Sequence, residues 1–177
     1  VGVALAHGLA IVIGVCITGH ISGAHINPAV TFGMLVAKRI TAPRALGYMI
    51  SQLLGALVGT IALHLIDVNG GAANVAYGSP ALGTGVSMWN GIAIEALLTF
   101  FLVLTIFGCA VDERGPKSIA PLMIGFVITM DIFVGGPLTG AAMNPARAFG
   151  PAFVSGIWAN HLVYWIGPLL GGAIAAL

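Results

Sequence analysis

The sequence contains very little charge. Its 177 residues include six lysines and arginines and five aspartates and glutamates. About a quarter of the residues of a soluble domain are usually charged, so this composition excludes an ordinary soluble protein. The formal net charge of +1 gives no basic surface for binding nucleic acid. Because 59% of the residues are hydrophobic, the chain is expected to lie in lipid.

Cysteine and catalytic motifs are also scarce. The two cysteines, Cys16 and Cys109, lie in apolar runs without the spacing of a metal site, so packing is their expected role. No Ser-His, Cys-His or His-Glu-x-x-His arrangement is present, and the sequence predicts neither an enzyme nor a bound cofactor or metal. The apolar N-terminus lacks an initiating Met, a charged region and a cleavage site, which argues against a signal peptide and indicates a fragment.

Five long apolar segments are predicted to form membrane-spanning helices. They cover residues 1–18, 46–66, 89–110, 119–134 and 161–177. A stretch rich in Gly, Ala and Asn separates the second segment from the third and is predicted to be a long loop. The sequence therefore indicates an all-α membrane protein.

Two further stretches resemble each other and point to an internal duplication. GHISGAHINPAVTFG begins at Gly19 and GPLTGAAMNPARAFG begins at Gly136, and eight of their fifteen positions are identical. Self-similarity of this kind indicates a repeated structural unit. We expect a single channel domain over residues 1–177. It comprises a first repeat over 1–66, a connecting loop over 67–88 and a second repeat over 89–177.

Each duplicated stretch has the sequence of a capped helix too short to cross a membrane. Asn27 and Asn144 are predicted N-caps, and Pro28 and Pro145 occupy the first helical positions, where Pro has no N–H to lose. Irregular backbone at membrane depth is tolerated only where it is buried in protein or lines a cavity. Two broken helices in corresponding positions therefore predict a permeation or binding site, whereas two ordinary extramembrane loops would be less apolar.

Charge placement predicts the topology. If the first stretch enters the membrane and returns to the same face, five of the six basic residues share that face: Lys38, Arg39, Arg44, Arg114 and Lys117. The positive-inside rule makes loops 34–44 and 111–118 cytoplasmic. The second half-helix then enters from the opposite face, so the repeats are inverted and the capped N-termini meet near the midplane.

Arg147, the sixth basic residue, lies within the second half-helix, and its counterpart in the first repeat is Val30. A charge at this depth is costly unless it faces an aqueous cavity, so we interpret Arg147 as a selectivity device. The alternative is an arginine whose guanidinium extends to the membrane interface.

These residues carry a family resemblance. The paired motifs Asn27-Pro28-Ala29 and Asn144-Pro145-Ala146, within an inverted duplication, resemble those of the aquaporins of the major intrinsic protein family, on the water-channel branch. The resemblance implies a right-handed bundle of spanning helices with two re-entrant half-helices meeting at the midplane, and it implies that the first of six spanning helices is absent here. It also implies a homotetramer of passive water channels, one pore per subunit, that exclude protons and ions and need no cofactor.

The same resemblance implies a selectivity filter of His7, Ile132, Ala141 and Arg147. This quartet is similar to that of some plant tonoplast intrinsic proteins, whose members pass water and in some cases ammonia, urea or hydrogen peroxide. Two alternatives remain: a glycerol or small-solute facilitator of the same family, and a secondary transporter with broken helices. Glycerol facilitators have an Asp and a basic residue where this chain has Ala148 and Ala152. A transporter would need more polar ligands at the midplane.

Three other ionisable residues have predicted positions. Glu95 is expected to support the irregular loop before a half-helix, with a proton relay as the less favoured reading. His25 is expected to fix the first loop or to line the cytoplasmic vestibule. Asp131 is expected to face a neighbouring helix or the non-cytoplasmic surface, because it points about 100° away from Ile132 on a helix. The sequence is compatible with location in a vacuolar membrane, a plasma membrane or a bacterial inner membrane.

Overall fold

The computed structural model describes all 177 residues, which form helices joined by turns and irregular connections. Eight α-helices follow in chain order: α1 (Gly2–Ser22), α2 (Pro28–Val36), α3 (Ala42–Ile66), α4 (Gly71–Asn74), α5 (Met88–Ile106), α6 (Ala120–Thr139), α7 (Pro145–Ser155) and α8 (Val163–Ala176). A wider turn over Phe107–Val111 continues α5. The all-α fold is therefore as the sequence predicts.

Four helices are long and apolar enough to cross a membrane: Gly2–Ser22, Ala42–Ile66, Met88–Val111 and Lys117–Thr139. They correspond to the first four predicted segments. The fifth predicted segment forms the shorter helix α8 of 14 residues, and His161 and Leu162 lie in the turn that precedes it.

The two duplicated stretches are more helical at their beginnings than predicted. Gly19 and Gly136 lie inside α1 and α6, which continue past the predicted ends to Ser22 and Thr139. Continuing the helix keeps backbone N–H and C=O groups paired, which is strongly favoured where water is absent. Both helices end at a glycine in the left-handed conformation, with φ of 81° at Gly23 and 83° at Gly140. The irregular segments are consequently shorter than the sequence suggests.

The half-helices α2 and α7 contain 9 and 11 residues. At about 1.5 Å per residue they reach only about half of a hydrocarbon layer of about 30 Å. Each packs against a helix of the other half of the chain, α2 on α8 and α7 on α3. This exchange interlocks the two predicted repeats around the place where the half-helices begin.

Glycines allow close contact at the helix crossings. A Cβ atom added to Gly171 of α8 would overlap the backbone carbonyl of Ala96 in α5. A Cβ added to Gly150 of α7 would lie 2.5 Å from the carbonyl oxygen of Ala56 in α3. Because backbone atoms cannot move aside as a flexible side chain can, small residues at these crossings set the helix spacing.

The two basic connections lie at the same end of the bundle, which we call the basic end. Ile40, from the first connection, and Val111, from the second, pack against the core cluster that contains Met34. In the second connection the guanidinium of Arg114 donates to the carboxylate of Asp112 at 2.7 Å. Hydrogen bonds from the Arg114 side chain and backbone hold the pKa of Asp112 well below its usual range. This ion pair is exposed, so it contributes little to stability.

Candidate functional site

A cavity of about 280 Å³ runs between the helices and is lined by 22 residues, of which 16 are hydrophobic. Three parts of the bundle each contribute a stripe of residues four apart: His7, Ile11 and Val15 from α1, Leu102, Ile106 and Ala110 from α5 and the wider turn that continues it, and Ile124, Ile128 and Ile132 from α6. Residues four apart lie on one face of a helix, so each stripe follows the long axis of its helix. The cavity is an elongated passage with few hydrogen-bonding groups on these walls.

Asn27 and Asn144 cap the half-helices at this cavity. The Asn27 side-chain oxygen accepts a hydrogen bond from the Ala29 N–H at 2.8 Å. The Asn144 oxygen accepts from the N–H groups of Ala146 and Arg147 at 3.0 and 3.2 Å. Both asparagines have extended backbone angles, and a proline follows each at the first helical position. These are the N-cap geometries that the Asn-Pro pairs predict.

The two asparagines also bind across the junction between the half-helices. The Asn27 amide nitrogen donates to the Met143 carbonyl oxygen at 2.8 Å, and the Asn144 amide nitrogen donates to the Ile26 carbonyl oxygen at 3.1 Å. An amide NH₂ group has two donors, so each asparagine retains one N–H beyond this bond. Both residues line the cavity, where that second donor is available to a molecule inside it.

The segments before the half-helices share an uncommon backbone geometry. In the first, Ala24 and Ile26 have φ of 49° and 52°. In the second, Ala141 and Met143 have φ of 45° and 52°. Positive φ is unfavourable for residues with a Cβ and persists only where neighbouring contacts stabilise it. The two duplicated segments therefore share their backbone conformation. In this conformation the carbonyls of Ile26 and Met143 face the asparagine amides.

Glu95 provides such contacts in the second segment. Its carboxylate accepts hydrogen bonds from the Thr139 hydroxyl at 2.6 Å, the Ala142 N–H at 2.9 Å and the Met143 N–H at 2.7 Å. The Tyr164 hydroxyl donates to the Thr139 carbonyl at 3.0 Å. The contacts of the Thr139 and Tyr164 hydroxyls were not predicted from the sequence, because a single hydroxyl in an apolar helix gives no periodic signal.

His25 lies in the first segment, two residues before Asn27. Its Nδ1 lies 3.0 Å from the Thr31 hydroxyl oxygen, and the Gln52 amide donates to the same hydroxyl at 2.9 Å. His25 also lines the cavity. The structure thus places it both against the first half-helix and on the wall of the passage.

The predicted quartet of His7, Ile132, Ala141 and Arg147 comes from four different elements and lines this one cavity. The His7 Nδ1 lies 2.9 Å from the Val3 carbonyl oxygen, which can only accept. Nδ1 is therefore the donor in this contact, and Nε2 can accept a hydrogen bond in the tautomer that has its proton on Nδ1.

Arg147 has a partner that the sequence did not predict. One guanidinium nitrogen, Nη1, donates to the Gly78 carbonyl oxygen at 2.7 Å. Gly78 belongs to the long connection between α3 and α5, which the sequence predicts to be a loop. The group concerned is a backbone carbonyl, and any residue type would supply it.

Asp131 lies inside the bundle. Its side chain is 1% exposed, and it is not among the cavity-lining residues. Of the two predicted positions, the surface is excluded and packing against neighbouring helices is found. Its Oδ2 atom has no hydrogen-bond partner.

Replacing Asn27 with aspartate is expected to destabilise the junction. The carboxylate keeps the acceptor for the Ala29 N–H but has no N–H for the Met143 carbonyl, so two acceptors face each other at a buried position. We expect a loss of about 1–3 kcal/mol, measured as a lower Tm of the protein in detergent. Asn90→Asp is the matched control, since Asn90 is exposed in the first turn of α5, where a negative charge is tolerated. Equal Tm values for both variants would contradict the expectation.

Comparison with known proteins gives consistent results across the chain. The family model described as "Major intrinsic protein" matches residues 1–177. The chain is 46% identical over 179 residues to a protein of Oryza sativa subsp. japonica named "Probable aquaporin TIP1-2", covering 100% of this chain and 69% of that protein. It is 45% identical to "Aquaporin TIP1-1" of Arabidopsis thaliana, again over 100% of this chain and 69% of the relative.

A solved structure is similar as well. The aquaglyceroporin from Plasmodium falciparum superposes with a TM-score of 0.87 at 27% sequence identity, covering 98% of this chain and 78% of that one. The fold described above is therefore shared with that aquaglyceroporin.

Proposed function

Because the chain belongs to the major intrinsic protein family, we propose that it is a passive water channel that excludes protons and ions. The observation that carries this proposal is the pair of asparagine amides at the junction of two half-helices, inside a single apolar passage. The chain is an integral membrane protein, with four helices long enough to cross a membrane.

Proton exclusion follows from the junction. Each half-helix presents a partial charge of roughly +0.5 at its N-terminus, and the two N-termini meet at the asparagines. Cations are repelled there, whereas a water molecule can turn its oxygen toward the free N–H groups. A water held in this orientation accepts from the asparagines and cannot pass a proton along the file. The apolar stripes offer few competing partners, so water is not retained.

We propose that His7, Ile132, Ala141 and Arg147 form the filter of the pore. Arg147 supplies a full positive charge and fixed donors, and His7 Nε2 supplies an acceptor. The side chains of Ile132 and Ala141 are apolar, so the polar side chains of the filter are those of His7 and Arg147. Such a wall suits water, and ammonia, urea and hydrogen peroxide are the small neutral solutes to test beside it.

Glycerol facilitation is the weaker alternative. Ala148 and Ala152, where the family's glycerol facilitators have an Asp and a basic residue, are both 0% exposed. Ala148 packs in an apolar cluster with Val163 and Tyr164 and does not line the cavity. The pair found in glycerol facilitators is thus replaced by two small apolar residues, which supports water rather than a polyol as the substrate.

Topology and assembly are further parts of the proposal. The basic end, with loops 34–44 and 111–118, is assigned to the cytoplasm by the positive-inside rule. A homotetramer with one pore per subunit is the assembly that the family resemblance implies. Many apolar side chains on α1 and α3 are exposed, among them Leu9, Ile13, Leu54 and Val58, as expected of surfaces that face lipid or other helices.

Stopped-flow light scattering on proteoliposomes tests the channel. Under an osmotic step we expect rapid shrinkage with a low activation energy, compared with liposomes without protein. Ile11→Trp, which adds bulk to the cavity wall, is expected to slow water flux. Leu9→Trp is the matched control, because the Leu9 side chain is 57% exposed and outside the cavity. If the unmodified protein shrinks vesicles no faster than lipid alone, the proposal is wrong.

A further inference from the structure

The connection between α3 and α5 lies against the part of the cavity that contains Arg147. The Gly78 carbonyl accepts from the Arg147 guanidinium at 2.7 Å, and the Gly83 N–H donates to the Leu138 carbonyl at 2.8 Å. The position of the single Arg in the passage therefore depends on one carbonyl that lies outside the transmembrane helices.

That carbonyl belongs to a turn with unfavourable backbone geometry. Ala76, Tyr77 and Gly78 are consecutive residues with φ of 49°, 54° and 81°. Glycine adopts such angles readily, but alanine and tyrosine do not, so the turn needs contacts that hold it. Without them the turn would relax, and the Gly78 carbonyl would leave its place.

A pair of side chains supplies one such contact. The Tyr77 hydroxyl lies 2.7 Å from Nδ1 of His64, in the last turn of α3. The two rings also meet edge to face, with centroids 5.5 Å apart and planes at 77°. Tyr77, which precedes Gly78, therefore contacts α3 through a hydrogen bond and an edge-to-face ring contact with His64.

Asp67 fixes the beginning of the same connection. Its carboxylate accepts a hydrogen bond from the Ala73 N–H at 2.9 Å. Hydrogen bonds from the backbone N–H groups of Ala72 and Ala73 lower the pKa of Asp67. This contact shapes the short helix α4, and the Tyr77–His64 pair then connects the turn that follows to α3.

We propose that His64 and Tyr77 are positioning residues for the filter: they hold the Gly78 carbonyl where it fixes the Arg147 guanidinium in the passage. The inference rests on the proposed function, because it takes Arg147 as the barrier to cations. It places part of the control of ion exclusion in two side chains that do not line the cavity.

The test measures proton and Na⁺ leak together with water permeability in the same proteoliposomes. Tyr77→Phe removes only the hydroxyl and is expected to raise the leak by about five-fold, while water permeability per reconstituted protein changes by less than about two-fold. His64→Leu is expected to give the same leak, and the double variant no more than either single one, since all three break one contact. His64→Gln retains a hydrogen-bonding group and is expected to restore a low leak.

Tyr48→Phe is the matched control, because the Tyr48 hydroxyl donates to the Ser22 carbonyl at 2.7 Å, near the basic end. If Tyr77→Phe leaks no more than Tyr48→Phe while Arg147→Val leaks strongly, the inference is overturned and the proposed function stands. If Arg147→Val does not leak either, the filter assignment itself fails. If Tyr77→Phe lowers water flux without raising the leak, the hydroxyl serves folding alone and the inference is again overturned.

Discussion

Replacing Arg147 with valine is expected to make the pore conduct protons and cations while water still passes. The cavity-lining residues include no lysine, aspartate or glutamate, and Arg147 is their single arginine. At an effective dielectric constant of about 20, a cation about 4 Å from the guanidinium meets roughly 4 kcal/mol of repulsion, and about half of that at about 8 Å. Removing the charge should raise cation flux between about 30-fold and about 1,000-fold.

Valine is a suitable replacement because the chain itself uses it at the equivalent place. Val30 is the counterpart of Arg147 in the first half-helix, and it lines the same cavity. The Arg147 backbone N–H donates to the Asn144 side chain, and this cap remains in the variant. The change therefore removes the charge without removing the start of α7.

The measurement is the decay of a pH gradient, read with a dye inside vesicles, together with water flux from light scattering. Arg147→Lys keeps the positive charge but loses the planar guanidinium and its fixed donors, so this variant should leak less than the valine variant. Arg114→Val is the matched control, since the Arg114 side chain is 90% exposed at the basic end. Equal leak in Arg147→Val and Arg114→Val would show that Arg147 is not the barrier.

Replacing Glu95 with alanine is expected to destabilise the segment before the second half-helix more than any other single change considered. The carboxylate accepts from Thr139, Ala142 and Met143 at a position that is 0% exposed. Each buried donor left without a partner costs about 1–3 kcal/mol, so the three together approach the stability of a whole domain, about 5–15 kcal/mol. We expect a large fall in the yield of monodisperse protein and in its Tm.

The conservative variant separates the acceptor role from packing. Glu95→Gln keeps one oxygen for Thr139 and Ala142 but presents an NH₂ group to the Met143 N–H, so its Tm should lie between those of the wild type and Glu95→Ala. Glu113→Ala, in the exposed connection at the basic end, is the matched control and should be neutral. A Glu95→Ala protein as stable as Glu113→Ala would contradict the role assigned to these three bonds.

Much of the site was accessible from the sequence because it depends on side chains with strong positional preferences. The Asn-Pro pairs predicted two helix N-caps, and the structure has both. Charge placement predicted inverted repeats whose capped N-termini meet, and the two asparagines form hydrogen bonds across the junction of the half-helices. The quartet was assigned by resemblance to a known family, and the structure brings its four members to one cavity.

The remaining features lacked a sequence signal for physical reasons. Gly19 and Gly136 read as loop residues, but the need to pair backbone groups in lipid keeps them helical. The Gly78 carbonyl could not be predicted, because a backbone acceptor is present at every position. The sequence allowed Asp131 to face either a neighbouring helix or the surface, because it does not show which helices pack together. The structure shows that Asp131 is buried.

The reciprocal bonds from Asn27 to Met143 and from Asn144 to Ile26 also limit how the molecule can transport. A carrier that works by alternating access must rock one half of the bundle against the other to expose its site first to one side and then to the other. Here that rocking would break both bonds at once, at the middle of the passage. These two bonds therefore favour the proposed channel, in which solute diffuses through a fixed opening, over a carrier that depends on a conformational cycle.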